Sequence, residues 1–231
     1  MVKKISLLLM FISAVSLFGQ ERKVQDWANF NRYKEENAKL GKPVSGENRV
    51  VFMGNSITDA WVSERPEFFA GKPYIDRGIS GQTSPQMLVR FRADVINLKA
   101  AVVLILAGIN DIAGNTGPST LEMIVDNIVS MAQLAKANGV KPVLCSVLPA
   151  YDFPWNPGSM PAEKIVSLNK MIKDYADRNG IIYVDYYSPM VDSRKGLKKE
   201  YSEDGVHPNV KGYQVMEPLA EAAIAKTLLQ K

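Results

Sequence analysis

The sequence predicts one three-layer α/β/α domain built around a parallel sheet. Short apolar runs alternate with longer amphipathic ones along most of the 231 residues, which is the pattern of alternating strands and helices. The short runs are continuously apolar instead of alternating in polarity, so we expect helices to cover both faces of the sheet. The length and the 46% hydrophobic content are sufficient for one sizeable core.

The predicted elements follow an N-terminal helical segment, residues 20–48. In that segment, residues 24–40 have helical composition, and Gly41 with Pro43 ends the helix. Short apolar runs predict strands at 49–53, 74–75, 101–107, 141–147 and 181–184. Amphipathic runs predict helices at 85–98, 119–138, 161–179 and 211–229. Gly139 and Gly180 follow two of these helices and are good C-cap residues. Residues 49–231 are therefore expected to form the main domain.

The first residues predict an export signal. Lys3 and Lys4 precede a mostly apolar run over residues 5–18, and Gly19 is a small residue suited to cleavage. This run is shorter than the roughly 20 residues of a membrane span, which favours a cleaved signal peptide over residues 1–19 rather than an N-terminal anchor. We therefore expect an exported protein, periplasmic or secreted, with no stable membrane span after cleavage.

Charge and cysteine content argue against a nucleic-acid-binding protein and against a protein with internal disulfides. Removal of Lys3 and Lys4 lowers the formal net charge from +4 to +2, and the chain has no run of basic residues, so nucleic acid is not an expected partner. Cys145 is the only cysteine, so an internal disulfide is impossible. Its apolar neighbours in residues 142–147 predict a small buried hydrophobe rather than a reactive thiol.

Polar residues and glycines follow the first three predicted strands, where the sites of parallel sheets form. These runs are GNSITD at 54–59, DRGISGQT at 76–83 and GIND at 108–111. Ser56 can serve as a nucleophile, and the Asn110 amide can donate to a developing oxyanion. Each also has a structural interpretation: Ser56 or Thr58 can cap a helix, the glycines can form turns, and Asn110 or Asp111 can form an Asx turn or cap a helix.

The only histidine, His207, lies in DGVHPN at 204–209. Its unperturbed pKa permits proton transfer near neutral pH, and Asp204 can hold the ring in one tautomer. Acyl transfer needs a nucleophile, a base, an orienting acid and oxyanion donors. Ser56, His207 and Asp204, together with Gly81 and Asn110, have the side chains and backbone groups for these roles.

Four runs in order, GNSIT, GISG, GIND and DGVHP, resemble the sequence blocks of the SGNH hydrolase superfamily, also called GDSL esterases and lipases. They frame residues 49–210. The resemblance implies a three-layer α/β/α sandwich with a five-stranded, flavodoxin-like parallel sheet. It also implies a serine ester hydrolase that uses no metal and no cofactor.

The resemblance assigns roles to named residues. Ser56 is the expected nucleophile, His207 the general base and then the acid, and Asp204 the residue that orients His207. The backbone N–H groups of Ser56 and Gly81 and the side-chain amide of Asn110 are the expected oxyanion hole. One position departs from the family, because Asn55 stands where the first block usually has Asp, which affects the hydrogen bonds of this loop. The G-x-S-x-G elbow of α/β-hydrolases is absent around Ser56.

The substrate is the least determined part of the prediction. Trp61, and Tyr151 and Trp155 in the aromatic loop 149–158, are expected substrate contacts, with packing against the sheet as the alternative. A compact exported esterase suits short-acyl, above all acetyl, esters of carbohydrates or similar polar substrates. A lysophospholipase or a thioesterase is the alternative enzyme. A non-catalytic carbohydrate-binding protein and a membrane-anchored scaffold are the alternatives from other classes.

Overall fold

Five parallel strands form one sheet in the order β2-β1-β3-β4-β5, which confirms the predicted fold class. The computed structural model describes residues 26–230, so the predicted signal peptide (1–19) and residues 20–25 of the helical segment lie outside the described residues. The strands are β1 (Val50–Gly54), β2 (Tyr74–Gly78), β3 (Val102–Ile105), β4 (Lys141–Cys145) and β5 (Ile182–Val184). Each strand begins and ends within a few residues of its predicted bounds.

Helices connect the strands and cover the sheet. They are α1 (Lys34–Leu40), α2 (Ser56–Asp59), α3 (Trp61–Glu64), α4 (Pro66–Phe69), α5 (Ser84–Phe91), α6 (Ile109–Ile112), α7 (Leu121–Ala137), α8 (Ala162–Arg178), α9 (Tyr187–Met190) and α10 (Val210–Leu229). A π-helical turn at Arg92–Ile96 and a 3-10 turn at Lys199–Tyr201 complete the set. Within residues 26–230, no helix is both long and apolar enough to cross a bilayer.

The core lies in two layers, one on each face of the sheet. Successive residues of a strand point to opposite faces. Val51 and Met53 therefore join the buried side chains of α5, α7 and α8, whereas Val50 and Phe52 join those of α3, α4 and α10. All five β1 residues are buried, which explains why this strand is continuously apolar in the sequence.

The topology places a crevice beside the carboxyl end of β1. β1 pairs with β2 on one side and with β3 on the other, with Val50 opposite both Tyr74 and Val102. From β1 the chain continues to β2 on one side, and from β3 it continues to β4 on the other side. The connections therefore diverge between β1 and β3, and ligands of open α/β sheets bind at such switch points. The turns after β1, β2 and β3 contain the three polar runs noted in the sequence.

The predicted helix over residues 24–40 is wrong for residues 26–33, which form turns before α1 begins. The Asp26 carboxylate accepts a hydrogen bond from the backbone N–H of Asn31 at 2.9 Å, and Asn29 has a positive φ of 57°. This local bonding competes with a helix. Trp27 and Phe30, two apolar residues of this segment, are 45% and 46% exposed.

The helix predicted over 85–98 is also interrupted. α5 ends at Phe91, and residues 92–96 continue as a π-helical turn. The apolar side chains of Met87, Phe91 and Val95 remain on the buried face, because the wider turn keeps them in register with the core. Apolar spacing therefore predicted the buried face correctly and the helix type incorrectly.

The carboxylate of Asp76 on β2 predicts a pH-dependent stability. Burial raises the pKa of Asp76 to about 7, although a hydrogen bond from the Gly78 N–H at 2.8 Å favours the ionised form. Among the described residues, none hydrogen-bonds the second oxygen of this carboxylate. The nearby charged and titratable groups are Asp59, which raises the pKa, and Arg77 and Tyr33, which lower it.

We expect Asp76→Asn to flatten the pH dependence of stability. The folded state retains a proton that the unfolded state releases above its pKa of 3.8, so wild-type stability falls as the pH rises from about 4 to 7. The variant lacks this titration. Its Tm relative to wild type should therefore be higher at pH 8 than at pH 5, by about 2–4 °C for each 1 kcal/mol. Equal differences at both pH values would contradict the buried carboxyl.

Candidate active site

Ser56 is the first residue of α2 and directly follows β1. Asn55 precedes it as the N-cap: its side-chain oxygen accepts a hydrogen bond from the backbone N–H of Ile57 at 3.2 Å. Asn55 thus supplies a capping oxygen as a neutral side chain, where the family usually has Asp. The interpretation of Ser56 as the helix cap is wrong, because Asn55 fills that position and leaves the Ser56 hydroxyl for another partner.

That partner is His207, 151 residues away in the sequence. The Oγ of Ser56 lies 2.9 Å from the Nε2 of His207. The Nδ1 of His207 lies 2.7 Å from one carboxylate oxygen of Asp204. The structure therefore brings the three predicted residues into one hydrogen-bonded chain. In such a chain the imidazole can take the hydroxyl proton while the carboxylate stabilises the resulting positive charge.

Backbone hydrogen bonds hold the Asp204 carboxylate in place. Its Oδ1 accepts from the backbone N–H groups of Val206 at 2.9 Å and His207 at 2.8 Å, and Oδ2 faces the ring. Partial burial acts to raise the pKa of Asp204, but the hydrogen bonds from the side chain and backbone of His207 and from Val206 outweigh it and lower the pKa. Asp204 is therefore ionised at neutral pH and favours the Nδ1–H tautomer of His207.

The two other predicted oxyanion donors line the same cavity as Ser56 and His207. Gly81 lies in the β2–α5 loop (residues 79–83) with a φ of +78°, a conformation that favours glycine. Asn110 is the second residue of the short helix α6, which follows β3, and its Nδ2 donates to the carbonyl of Gln82 at 2.9 Å. An amide nitrogen carries two hydrogens, so one remains for a ligand. The cavity is about 390 Å³ in volume.

Asp111 ties the Asn110 turn to the start of α5. Its carboxylate accepts from the backbone N–H of Ser84 at 3.0 Å and from the Ser84 hydroxyl at 2.6 Å. Burial raises the pKa of Asp111, and the hydrogen bonds from Ser84 oppose this shift. Asp111 therefore does cap a helix, but that helix is α5, which is distant in sequence. The same contacts hold the neighbouring residue Asn110 in place.

A fully buried arginine, which was not predicted from the sequence, lies behind the site. The guanidinium of Arg90 donates to the carbonyls of Gly54 at 3.0 Å and Arg77 at 2.9 Å, which are the ends of β1 and β2. It also binds the side-chain oxygen of Gln82 at 2.6 Å and the carboxylate of Asp94 at 2.9 Å. The spacing of Arg90 and Asp94, four residues apart on a helix, was the available signal, but such pairs usually lie on the surface.

Two of the three predicted substrate contacts lie at the cleft. Trp155 is 47% exposed, stacks on the buried ring of Phe153 at 5.1 Å, and has its centroid 6.0 Å from that of His207. Tyr151 is 41% exposed and lines an adjoining cavity of about 270 Å³ that also includes Asp204. The guanidinium carbon of Arg194 lies 5.2 Å from the centroid of the Tyr151 ring.

The expectation that Trp61 contacts substrate is wrong. Trp61 is 1% exposed and belongs to the core layer between the sheet and α10. Its ring stacks on Phe68 and on Tyr213, each at a centroid distance of 5.3 Å. Trp61 is on α3, which follows α2 directly and turns this side chain towards the sheet. The packing alternative therefore applies to Trp61.

Cys145 has the predicted role of a small buried hydrophobe. It lies at the end of β4, and burial raises the pKa of its thiol to about 12. A thiol with this pKa is un-ionised at neutral pH and a poor nucleophile. Among residues 26–230, no cluster of three or more His, Cys, Asp or Glu side chains has the arrangement of a metal site.

Comparisons with known proteins agree with this fold. A family model for the GDSL-like lipase/acylhydrolase family matches residues 52–215. Esterase TesA of Pseudomonas aeruginosa is 27% identical over 169 residues, which span 71% of this chain and 78% of that protein. The region that the family model matches contains Ser56, Gly81, Asn110, Asp204 and His207.

Two solved structures from Bacteroides are more similar. A proposed acylhydrolase of Bacteroides fragilis is 56% identical with a TM-score of 0.87, covering 88% of this chain and 99% of that one. A GDSL-like lipase of Bacteroides thetaiotaomicron is 54% identical with a TM-score of 0.84, covering 86% and 98%. The chain belongs to the GDSL-like lipase/acylhydrolase family, within the SGNH hydrolase superfamily, and is a hydrolase that acts on esters.

Proposed function

We propose that the protein is an exported serine esterase that removes short acyl groups, above all acetyl, from carbohydrates or similar polar substrates. The observation that carries this proposal is the hydrogen-bonded chain of Ser56, His207 and Asp204 in a polar cavity with Gly81 and Asn110. Export is proposed from the sequence of residues 1–19.

The proposed reaction proceeds through an acyl-enzyme. The Ser56 Oγ attacks the ester carbonyl while its proton passes to the Nε2 of His207. The negative charge then develops on the carbonyl oxygen, where the N–H groups of Ser56 and Gly81 and the Asn110 amide donate hydrogen bonds. His207 gives its proton to the leaving alcohol, and a water activated by His207 releases the acid.

The lining of the cavity favours a short acyl group. The cavity is lined by Ser56, Ser80, Gly81, Asn110, Asn115, Trp155 and His207, of which only Trp155 presents a large apolar surface. A long acyl chain requires an apolar channel, because each buried CH₂ contributes about 0.8 kcal/mol. This lining therefore argues against a lysophospholipase, and the complete hydrogen-bonded chain of Ser56, His207 and Asp204 argues against a non-catalytic binding protein.

Trp155 and Tyr151 are the proposed contacts with the alcohol part of the ester. His207 must protonate the leaving oxygen, so the alcohol lies on the His207 side of the cleft, where Trp155 stands. The exposed ring of Trp155 suits stacking on the apolar face of a sugar. The adjoining cavity with Tyr151 would accept a further part of an extended alcohol.

A chain-length series tests the acyl preference. With p-nitrophenyl esters from acetate to laurate, kcat/KM should fall by at least about tenfold, since one badly placed methylene costs about 1–3 kcal/mol. Trp155→Ala should raise the KM for acetylated xylan by about tenfold, or about 1.4 kcal/mol, and leave p-nitrophenyl acetate within about twofold. Trp27→Ala, which removes an equally exposed tryptophan, is the control. A preference for laurate would favour the lysophospholipase alternative.

Asp204→Asn should lower kcat by about 10⁴-fold, because the amide leaves the His207 ring in the wrong tautomer. We expect the ring to remain in place, so this loss should be smaller than that of the nucleophile. Asp185→Asn, a change at a carboxylate that bonds only to neighbouring Ser188, is the matched control. Steady-state kinetics with p-nitrophenyl acetate give the comparison, and activity within tenfold of wild type would contradict the role of Asp204.

A further inference from the structure

The β2–α5 loop, which carries Gly81, is bound by a carboxylate outside the cavity. One oxygen of Asp59 accepts from the backbone N–H of Ser80 at 3.1 Å and from the Ser80 hydroxyl at 2.6 Å. These bonds hold the Ile79–Ser80 peptide and the Ser80 side chain, one peptide unit before the one that carries the Gly81 N–H. The Asp59 side chain is 25% exposed and is not part of the cavity lining.

Asp59 is also the last residue of the helix that Ser56 begins. α2 is one turn long, so the nucleophile and the Asp59 carboxylate are at opposite ends of one rigid unit. The backbone of α2 packs directly on the end of β2: a Cβ added at Gly78 would lie 2.0 Å from the backbone nitrogen of Asp59. The helix and the end of β2 are therefore in contact through the backbone, and Asp59 binds the loop that follows β2.

We propose that Asp59 is a positioning residue that sets the Gly81 N–H relative to Ser56. The backbone N–H of Ser56 is on α2, and the backbone N–H of Gly81 is on the β2–α5 loop. The hydrogen bonds from Ser80 to Asp59 connect α2 to this loop beside the cavity. This inference rests on the proposed function, because it requires the oxyanion hole. Asp59 contacts neither substrate nor the reacting atoms, and it acts through Ser80.

The second partner of Asp59 does not explain its geometry. An Arg32 guanidinium nitrogen lies 3.6 Å from the other carboxylate oxygen, and the Arg32 side chain is 43% exposed. An exposed pair at this separation contributes little to stability. The oxygen that binds Ser80 makes the two short bonds. If Asp59 only stabilised the fold, loss of its contact with Arg32 and loss of its contact with Ser80 should have similar effects. If Asp59 positions the loop, only loss of the contact with Ser80 should lower activity.

The test measures kcat, KM and Tm for Asp59→Ala, Asp59→Asn and Ser80→Ala with p-nitrophenyl acetate. Loss of an oxyanion donor costs about 10²–10³ in kcat, and a misplaced donor should cost less, about 10- to 100-fold in Asp59→Ala. KM should change by less than about twofold. Asp59→Asn should recover part of this loss because its amide oxygen still accepts from the Ser80 N–H, and Ser80→Ala should show a smaller loss than Asp59→Ala.

Inhibition by a boronate, which mimics the tetrahedral transition state, distinguishes a misplaced oxyanion donor from a loss of folded protein. Its Ki should rise in Asp59→Ala by about the factor by which kcat/KM falls. Glu64→Ala, which removes an exposed carboxylate at the end of α3, and Arg32→Ala are the controls and should leave kcat within about twofold. Should Asp59→Ala fail to fold, Asp59→Asn and Ser80→Ala provide the same comparison.

Three outcomes are distinguishable. Wild-type kcat and Ki in Asp59→Ala, with an inactive Ser56→Ala, would overturn the role of Asp59 and leave the proposed function intact. Equal losses in Arg32→Ala and Asp59→Ala would also overturn it, since they indicate a general effect of charge. Activity retained in Ser56→Ala would overturn the proposed function itself, and the inference with it.

Discussion

Ser56→Ala is expected to abolish ester hydrolysis, with a fall in kcat of about 10⁶-fold. Among residues 26–230, the Oγ of Ser56 is the nucleophilic atom placed against the imidazole, at 2.9 Å from the His207 Nε2. The hydroxyl makes no other side-chain hydrogen bond in the described structure, so the fold and the Tm should be unchanged. Hydrolysis of p-nitrophenyl acetate by the purified variant measures the loss.

Ser63→Ala is the matched control for this variant. Ser63 is an exposed serine on the neighbouring helix α3 and donates only to the carbonyl of Ala60 at 2.8 Å. Its replacement should leave kcat within about twofold, because a surface substitution of this kind rarely changes stability by more than about 0.5 kcal/mol. Substantial activity in Ser56→Ala, or an equal loss in Ser63→Ala, would contradict the assignment of Ser56.

Gly78→Ala is expected to lower the free energy of unfolding by at least about 3 kcal/mol, at the upper end of the cost of overpacking. The new Cβ would lie 2.0 Å from the backbone nitrogen of Asp59 and 2.6 Å from its Cα. Backbone cannot move aside as a flexible side chain can, so either β2 or α2 must shift. The variant should also lose activity, because α2 carries Ser56 and β2 leads into the loop with Gly81.

Urea unfolding of Gly78→Ala measures this cost, and Gly71→Ala is its control. Gly71 lies before the same strand with a φ of +72°, and a Cβ added there would meet no atom within 4 Å. Gly71→Ala should therefore cost about 1–2 kcal/mol from the left-handed backbone alone. Equal losses in the two variants would show that the contact between α2 and β2 is not tightly packed.

The fold was predictable because the central strands β1, β3 and β4 are buried on both faces. These strands are therefore apolar runs, and the glycines and polar residues after β1, β2 and β3 mark where each strand ends. The N-terminal segment was not predictable in the same way. Trp27 and Phe30 have helical spacing, but the turn at Asp26–Asn31 directs them to solvent, and apolar spacing alone cannot distinguish a buried face from an exposed one.

The residues expected to react with substrate could be predicted from the sequence. The residues that position them could not. Ser56, Asp204 and His207 stand in short runs of distinctive composition, so their roles could be inferred before their contacts. Arg90 and Asp59 could not be found this way. Their partners are carbonyls and N–H groups of other segments, and which backbone groups meet a side chain depends on the three-dimensional packing.

Covalent labelling tests the central claim, that Ser56 is the nucleophile of a serine esterase. The purified protein is incubated with an aryl organophosphonate, and the adduct is located by mass spectrometry of its peptides. The proposal predicts one adduct, on Ser56, formed in parallel with loss of ester hydrolysis and absent from Ser56→Ala. An adduct on another residue with Ser56 unmodified, or full activity after complete labelling of Ser56, would contradict it.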